Sequence, residues 1–217
     1  MRLLEHAAIC RAAVIVAAAF AVNCLGSSPN VSLYTMSSVS SSSTAAATDG
    51  PAIGVGPIRV PRYLDRPDWV TRPDRSPSRL EVDGVRRWAG GFSANVLSVL
   101  AENLGAKLGT QRVVVYPVQA PFPLDYRIAV DFQAFEGIGG EALELRANWV
   151  IRAGSGEGGP WSGQSTMRRS IAGTGPDALV AAHNEALDLL ADAIASRIKS
   201  LPTTGAASEG SDAQPSD

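Results

Sequence analysis

Lysine, histidine and cysteine are scarce in this sequence. Among 217 residues the only lysines are Lys107 and Lys199, and the only cysteines are Cys10 and Cys24. There are two histidines, His6 and His183. Such a set cannot form a zinc site without several carboxylates, and no suitable cluster is visible. Charged residues make up 18% and the formal net charge is -2, which leaves no basic footprint for nucleic acid. No apolar run approaches the roughly 18 residues of a membrane-spanning helix. A nucleophile elbow is also missing: Gly91-Phe92-Ser93-Ala94-Asn95 and Gly163-Gln164-Ser165-Thr166-Met167 both lack the second glycine. His183 falls in an apolar helical stripe, and a general base would need a nucleophile and an orienting acid beside it. It reads as a packing or surface residue. Gly137, Gly139 and Gly140 are followed by a strand pattern instead of Gly-Lys-Ser/Thr, so they read as a hairpin turn and not a phosphate loop. Asp125, Asp131 and Glu136 lie around one strand and read as solvated strand-end charges. The expectation is a protein that is not an enzyme and carries no cofactor or metal.

What is present begins at the N-terminus. Arg2 and Arg11 precede an apolar run from Ala12 to Val22. As a helix this run reaches roughly 16 Å, against a hydrocarbon core of about 30 Å. It has the length of a signal-peptide core. Cys24 follows directly, and Ser/Gly/Pro-rich sequence comes after it. Small residues before a cysteine allow peptidase access, and its thiol can carry diacylglycerol. Ala21 and Val22 fit that pattern, whereas Asn23 departs from the usual small residue. The competing reading is cleavage after Ala21, since Ala19-Phe20-Ala21 has the A-x-A form. With Cys10 inside the signal, Cys24 would be a lone cysteine in an oxidising compartment, and acylation accounts for it. The expected organisation is a lipoprotein signal peptide at 1–23, a Ser-rich flexible tether at 24–50, a folded domain at 51–201 and a disordered tail at 202–217.

Within the domain, Ile53–Val60 reads as a strand ended by Pro61, Trp69–Thr71 as a short extended piece, and Leu80–Gly84 as a short strand. Apolar residues at three- and four-residue spacing predict a helix over Trp88–Leu108, closed by Gly109. Val113–Tyr116 has the continuous apolar character of a buried strand. Tyr126–Phe135 and Ala142–Ile151 alternate around glycines, which predicts an antiparallel hairpin, with Trp161–Ile171 as another strand. Pro176 and Asp177 open a last helix whose stripe runs from Val180 to Leu201. Two helices with five or six strands predict an α/β (α+β) domain, a mixed, largely antiparallel sheet packed by two main helices.

The stretch Pro57–Arg75 interleaves arginines and aromatics with prolines. Arginine and aromatic residues are enriched at protein–protein contacts. Arg59, Arg62, Tyr63, Arg66, Trp69 and Arg72 are therefore candidate partner contacts. The competing reading is a surface loop whose arginines pair with Asp65, Asp68 and Asp74.

Several segments together resemble a known family: Ser27-Ser28-Pro29, Leu33-Tyr34-Thr35-Met36, Ile53–Ile58, Pro61-Arg62-Tyr63-Leu64-Asp65-Arg66-Pro67, Trp69–Arg72, Trp88-Ala89, Leu100–Leu104, Tyr116-Pro117, Asp125–Ile128 and Phe135-Glu136-Gly137. With Cys24 they are similar to the PqiC-like (YmbA-like) ABC-type transport auxiliary lipoproteins. The resemblance implies an envelope lipoprotein accompanying an MCE-type transport system for lipids or hydrophobic compounds and contacting its periplasmic component. It carries no catalytic residues. Leu25 stands where an inner-membrane retention Asp would be, which points to the outer membrane. The alternative is a periplasmic module that holds a hydrophobic ligand itself, and this would need an apolar cavity. Edge strands around Val113–Tyr116 or Trp161–Ile171 are places where copies could pair as a homo-oligomer.

Overall fold

A computed structural model describes residues 30–39, 50–74, 76, 78–156 and 159–201. The signal segment, Cys24 and the tail from 202 onward lie outside the described residues. The sheet is built on one long antiparallel hairpin, β6 (Tyr126–Ile138) with β7 (Ala142–Ala153). In β6, Tyr126, Ile128, Val130 and Phe132 are buried while Arg127 and Asp131 are exposed, as two-residue periodicity requires of a half-buried strand. The register shifts between Phe132 and Ala134. This bulge keeps Phe135 against the core and turns its neighbour Glu136 to the other side of the sheet.

On its other flank β6 meets two strands. β2 (Ile53–Arg59) lies parallel along its first half, and β3 (Asp68–Arg72) lies parallel to its last two residues. Beyond β2 lies β5 (Val113–Val115), and beyond β3 lie β4 (Glu81–Trp88) and β1 (Ser32–Tyr34). β8 (Trp161–Ser170) borders β7. The eight strands exceed the five or six expected because the extended piece at Trp69–Thr71 pairs as β3 and β1 adds a strand from the apparent tether. Helices α1 (Phe92–Leu108) and α2 (Pro176–Lys199) pack on each other, with α1 against β2 and β5, and α2 against β7 and β8.

Two expectations need correcting. The helix begins at Phe92, not Trp88, because Gly90 and Gly91 take positive φ (75° and 90°) and Trp88 closes β4. The helix stop holds: Gly109 is left-handed at φ 65°. Val113–Val115 is not a buried strand. It pairs only with β2 and is half-buried, so its continuous apolar character belongs to an edge strand.

The largest departure concerns the tether. Residues 32–38 belong to the folded unit although their composition reads as linker. β1 runs parallel to β4, and Met36 is 5% exposed within the core. Two helix asparagines hold the following backbone, and a third holds a side chain. Asn95 Oδ1 accepts from Met36 N at 3.0 Å and from Thr35 Oγ1 at 2.9 Å. Asn184 Oδ1 accepts from Ser37 N at 3.1 Å, and Asn103 Oδ1 accepts from Ser38 Oγ at 2.5 Å. Serine and threonine are solvating in composition, but here they supply the polar edge of an extended strap, and Tyr34 and Met36 face inward.

Met36→Ala is expected to lower stability by about 2–3 kcal/mol, read as a lower urea midpoint. Val39→Ala, at a residue 51% exposed just beyond the strap, is expected to change it by less than about 0.5 kcal/mol.

Candidate functional site

The arginine-rich segment folds as a turn closed by the carbonyl of Pro61, which accepts from Leu64 N at 2.8 Å and from Asp65 N at 3.1 Å. Leu64 is 3% exposed and pins the turn to the core. The six candidate contacts separate into two groups. Arg59, Arg62 and Arg66 are exposed. Arg66 pairs with Asp68 at 2.9 Å, and Arg87 joins the same carboxylate at 3.0 Å. Trp69, Tyr63 and Arg72 are instead structural. Trp69 is 3% exposed, stacked on Trp88 at 4.9 Å and tilted against Tyr34 at 4.7 Å, so its ring is not available to a partner.

Tyr63 and Arg72 converge on Glu136. Arg72 Nε donates to Glu136 Oε1 at 2.7 Å, the Tyr63 hydroxyl lies 3.2 Å from both carboxylate oxygens, and Phe135 N donates to Oε2 at 2.8 Å. Glu136 is 2% exposed, which corrects the expectation of a solvated strand-end charge. The bulge in β6 turns it to the side of the sheet where the Pro61–Arg72 stretch closes over it. Burial, and then the Glu136 charge, hold the Tyr63 phenol above its ordinary value. Burial pulls the Arg72 guanidinium down, but its hydrogen bond and attraction to Glu136 outweigh this and raise it. A buried carboxylate is costly unless donors meet it, and here three groups converge on one side chain. The cluster fixes the exposed Arg62–Arg66 turn above it. Its one advance signal in the sequence was a glutamate immediately after a buried phenylalanine near the end of an alternating strand.

Asp125 and Asp131 are partly or fully exposed, as expected. Asp125 Oδ2 accepts from Ala52 N at 2.6 Å and so ties β6 to the start of β2. Beside it an open cleft of about 700 Å³ lies between β2, β5 and the loop 116–125, lined among others by Tyr116, Val118, Phe122 and Leu124. Gly154 makes the loop's close approach possible, since a Cβ there would collide with the Leu124 carbonyl oxygen.

His183 lies in the core. Its ring is edge-on to Trp88 at 5.3 Å and tilted against Phe135 at 4.8 Å, and Nδ1 is 2.8 Å from the Leu179 carbonyl. Burial lowers its pKa to about 4, partly opposed by the carbonyls of Leu179 and Phe135. The void beside it is about 10 Å³, room for one water at most. Among the described residues no group of three potential metal ligands occurs, and no helix is long and apolar enough to cross a membrane.

The family model for the ABC-type transport auxiliary lipoprotein component matches residues 34–195. A crystal structure of an uncharacterized protein is similar at 17% identity with a TM-score of 0.63, covering 78% of this chain and 99% of that one. A crystal structure of a Xanthomonas campestris protein is similar at 17% identity and 0.55, covering 78% and 93%. At that identity the two structures establish the fold alone. A comparison with curated proteins gives no match. The matched span runs from β1 to the last turns of α2, and this chain belongs to the ABC-type transport auxiliary lipoprotein component family.

Two consequences can be measured. Glu136→Ala leaves the Arg72 charge without its buried partner and is expected to cost about 3 kcal/mol, whereas Arg62→Glu at the exposed turn is expected to cost less than about 0.5 kcal/mol. Both are read from denaturant midpoints. For His183, the unfolded ring takes up a proton near its ordinary 6.5 and the folded ring only near 4. Its contribution is therefore complete above pH 6.5 and declines as pH falls toward 4, by about 3 kcal/mol in full. His183→Leu is expected to remove that slope between neutrality and mild acidity.

Proposed function

We propose that this chain is held at the cell envelope by lipid on Cys24 and acts as a non-catalytic docking component of an MCE-type ABC transport system for lipids or other hydrophobic compounds. The observation that carries the reading is the family match across the whole sheet-and-helix domain. Two or more acyl chains give stable anchoring where one gives only marginal binding. Leu25 in place of a retention Asp favours the periplasmic face of the outer membrane. The partner is the system's periplasmic MCE-type protein, met by the exposed Arg59, Arg62 and Arg66 on a turn held rigid by the Glu136 cluster. β5 and β8 each pair on one side only, which leaves both edges for pairing between copies. The alternative, a module that holds a hydrophobic ligand itself, gains nothing from the minute void at His183. It would have to use the open cleft at Tyr116 and Leu124.

Intact mass of the protein from native membranes tests the anchor. The expected product begins at Cys24 and carries acyl chains that are absent from a Cys24→Ser variant. An unmodified chain beginning at Val22 would overturn it. For docking, the double variant Arg62→Glu, Arg66→Glu is expected to weaken binding to the MCE-type subunit by about tenfold or more without loss of stability. Unchanged binding would remove this turn from the interface.

A further inference from the structure

Two features of the first strand have no role in the docking surface described above. Leu33 on β1 is 67% exposed, and Val82 and Val85 on β4 are 49% and 36% exposed. The parallel register sets Leu33 opposite Arg87, and Val85 lies two residues before Arg87 on β4. The β3–β4 register is irregular between Asp83 and Arg87, so Val85 sits in a bulged stretch of that strand. Leu33 and Val85 are nevertheless both exposed and close together at the end of the β1–β4 branch. Of the arginines around them, Arg86 pairs with Asp83 at 3.0 Å, while Arg87 shares the Asp68 carboxylate with Arg66 at 3.0 Å. The patch is aliphatic, with half-exposed guanidinium groups and a small excess of positive charge at its border.

The second feature is chain length. If residues 24–50 were free, Cys24 could stand about 90 Å from the domain at roughly 3.5 Å per residue. The strap removes most of that reach. With Met36 buried and the backbone held by Asn95 and Asn184, only eight Cα steps separate Cys24 from Ser32, about 28 Å at most. That distance is close to the thickness of a bilayer's hydrocarbon core. An anchor at Cys24 therefore keeps the start of β1 near the membrane.

We infer that the outer face of the β1–β4 edge lies against the lipid bilayer, with Leu33 and Val85 at the headgroup boundary. The inference rests on the lipid-anchor reading above. A protein partner fits this patch less well, because so few aliphatic side chains cannot cover the roughly 1,200 Å² that a stable protein interface buries. At a membrane the acyl chains supply the attachment and the patch has only to orient the domain. The arginine-rich turn and the cleft are then carried in a fixed relation to the membrane surface.

The test uses the full lipidated chain in vesicles of phosphatidylethanolamine and phosphatidylglycerol. Acylation occupies Cys24 and signal cleavage removes Cys10, so an environment-sensitive fluorophore can be placed on a single new thiol. The sites are Leu33→Cys, Val85→Cys and, as a control, Val118→Cys. Val118 is 68% exposed and follows β5, at the opposite end of the strand order from β1. The expected result is co-flotation with vesicles, a several-fold emission increase at positions 33 and 85, and quenching there by lipid-borne nitroxide, with position 118 unchanged. Co-flotation with positions 33 and 85 as water-exposed as 118 overturns the membrane-facing assignment and leaves the anchor intact. Failure to co-float overturns the anchor reading and this inference with it.

Discussion

The backbone at Met36 and Ser37 is held by two asparagine amides, one from each helix, with a third asparagine on the Ser38 hydroxyl, and much of the fold depends on that capture. Asn95 is the pivot. Its oxygen accepts from Met36 N and Thr35 Oγ1, while its amide nitrogen donates to the carbonyls of Ala89 and Gly91. One side chain thus ties the strap to the Ala89–Gly91 turn that leads into α1. Asn184 joins the strap to α2 through Ser37, accepting from its N–H and donating to its hydroxyl. A buried amide is costly unless its partners are met. These asparagines therefore specify one position for the strap, where apolar contacts alone would tolerate sliding.

From that position the aromatic packing follows. β1 beside β4 brings Tyr34 onto Trp69, Trp69 stacks on Trp88, and Trp88 meets Phe92 and His183. The column runs from the sheet edge into the space between the helices. On the far side of the sheet, the bulge in β6 delivers Glu136 to Arg72 and Tyr63 and locks the Pro61–Arg72 stretch over it. The two arrangements have one logic. Irregular, polar-looking segments become fixed because a single buried side chain answers several donors at once. The result is an exposed arginine turn on a rigid base, joined through β3 and β4 to the β1 edge.

Periodicity exposed the parts of this fold that obey it. The Tyr126–Ile138 and Ala142–Ala153 hairpin and the helix from Pro176 are strongly patterned, and their glycine and proline boundaries carry defined backbone preferences. Trp88 misled because helical spacing continues through it, while positive φ at Gly90 and Gly91 breaks the helix three-dimensionally. The strap was hidden because composition averages over the alternation of Tyr34 and Met36, and because its stabilising partners lie about 60 and 147 residues away in sequence. Asparagine is a poor helix former. Asn95, Asn103 and Asn184 inside helices were the available sign that something polar had to be bound there. Of the proposed contact residues, Arg59, Arg62 and Arg66 are exposed, whereas Arg72 and Tyr63 bind Glu136 and Trp69 serves the core.

As a member of a transport auxiliary lipoprotein family, this chain carries the family's match from residue 34 to residue 195. The strap brings residues 32–38 of the apparent linker into that fold. Hydrogen exchange of the Met36 and Ser37 amides in the full-length protein measures it most directly. Exchange as slow as that of buried amides in the middle of α2 is the expected result. Exchange of both amides at the rate of an unstructured peptide, with α2 still protected, would show that the strap is free and would contradict the short-anchor architecture.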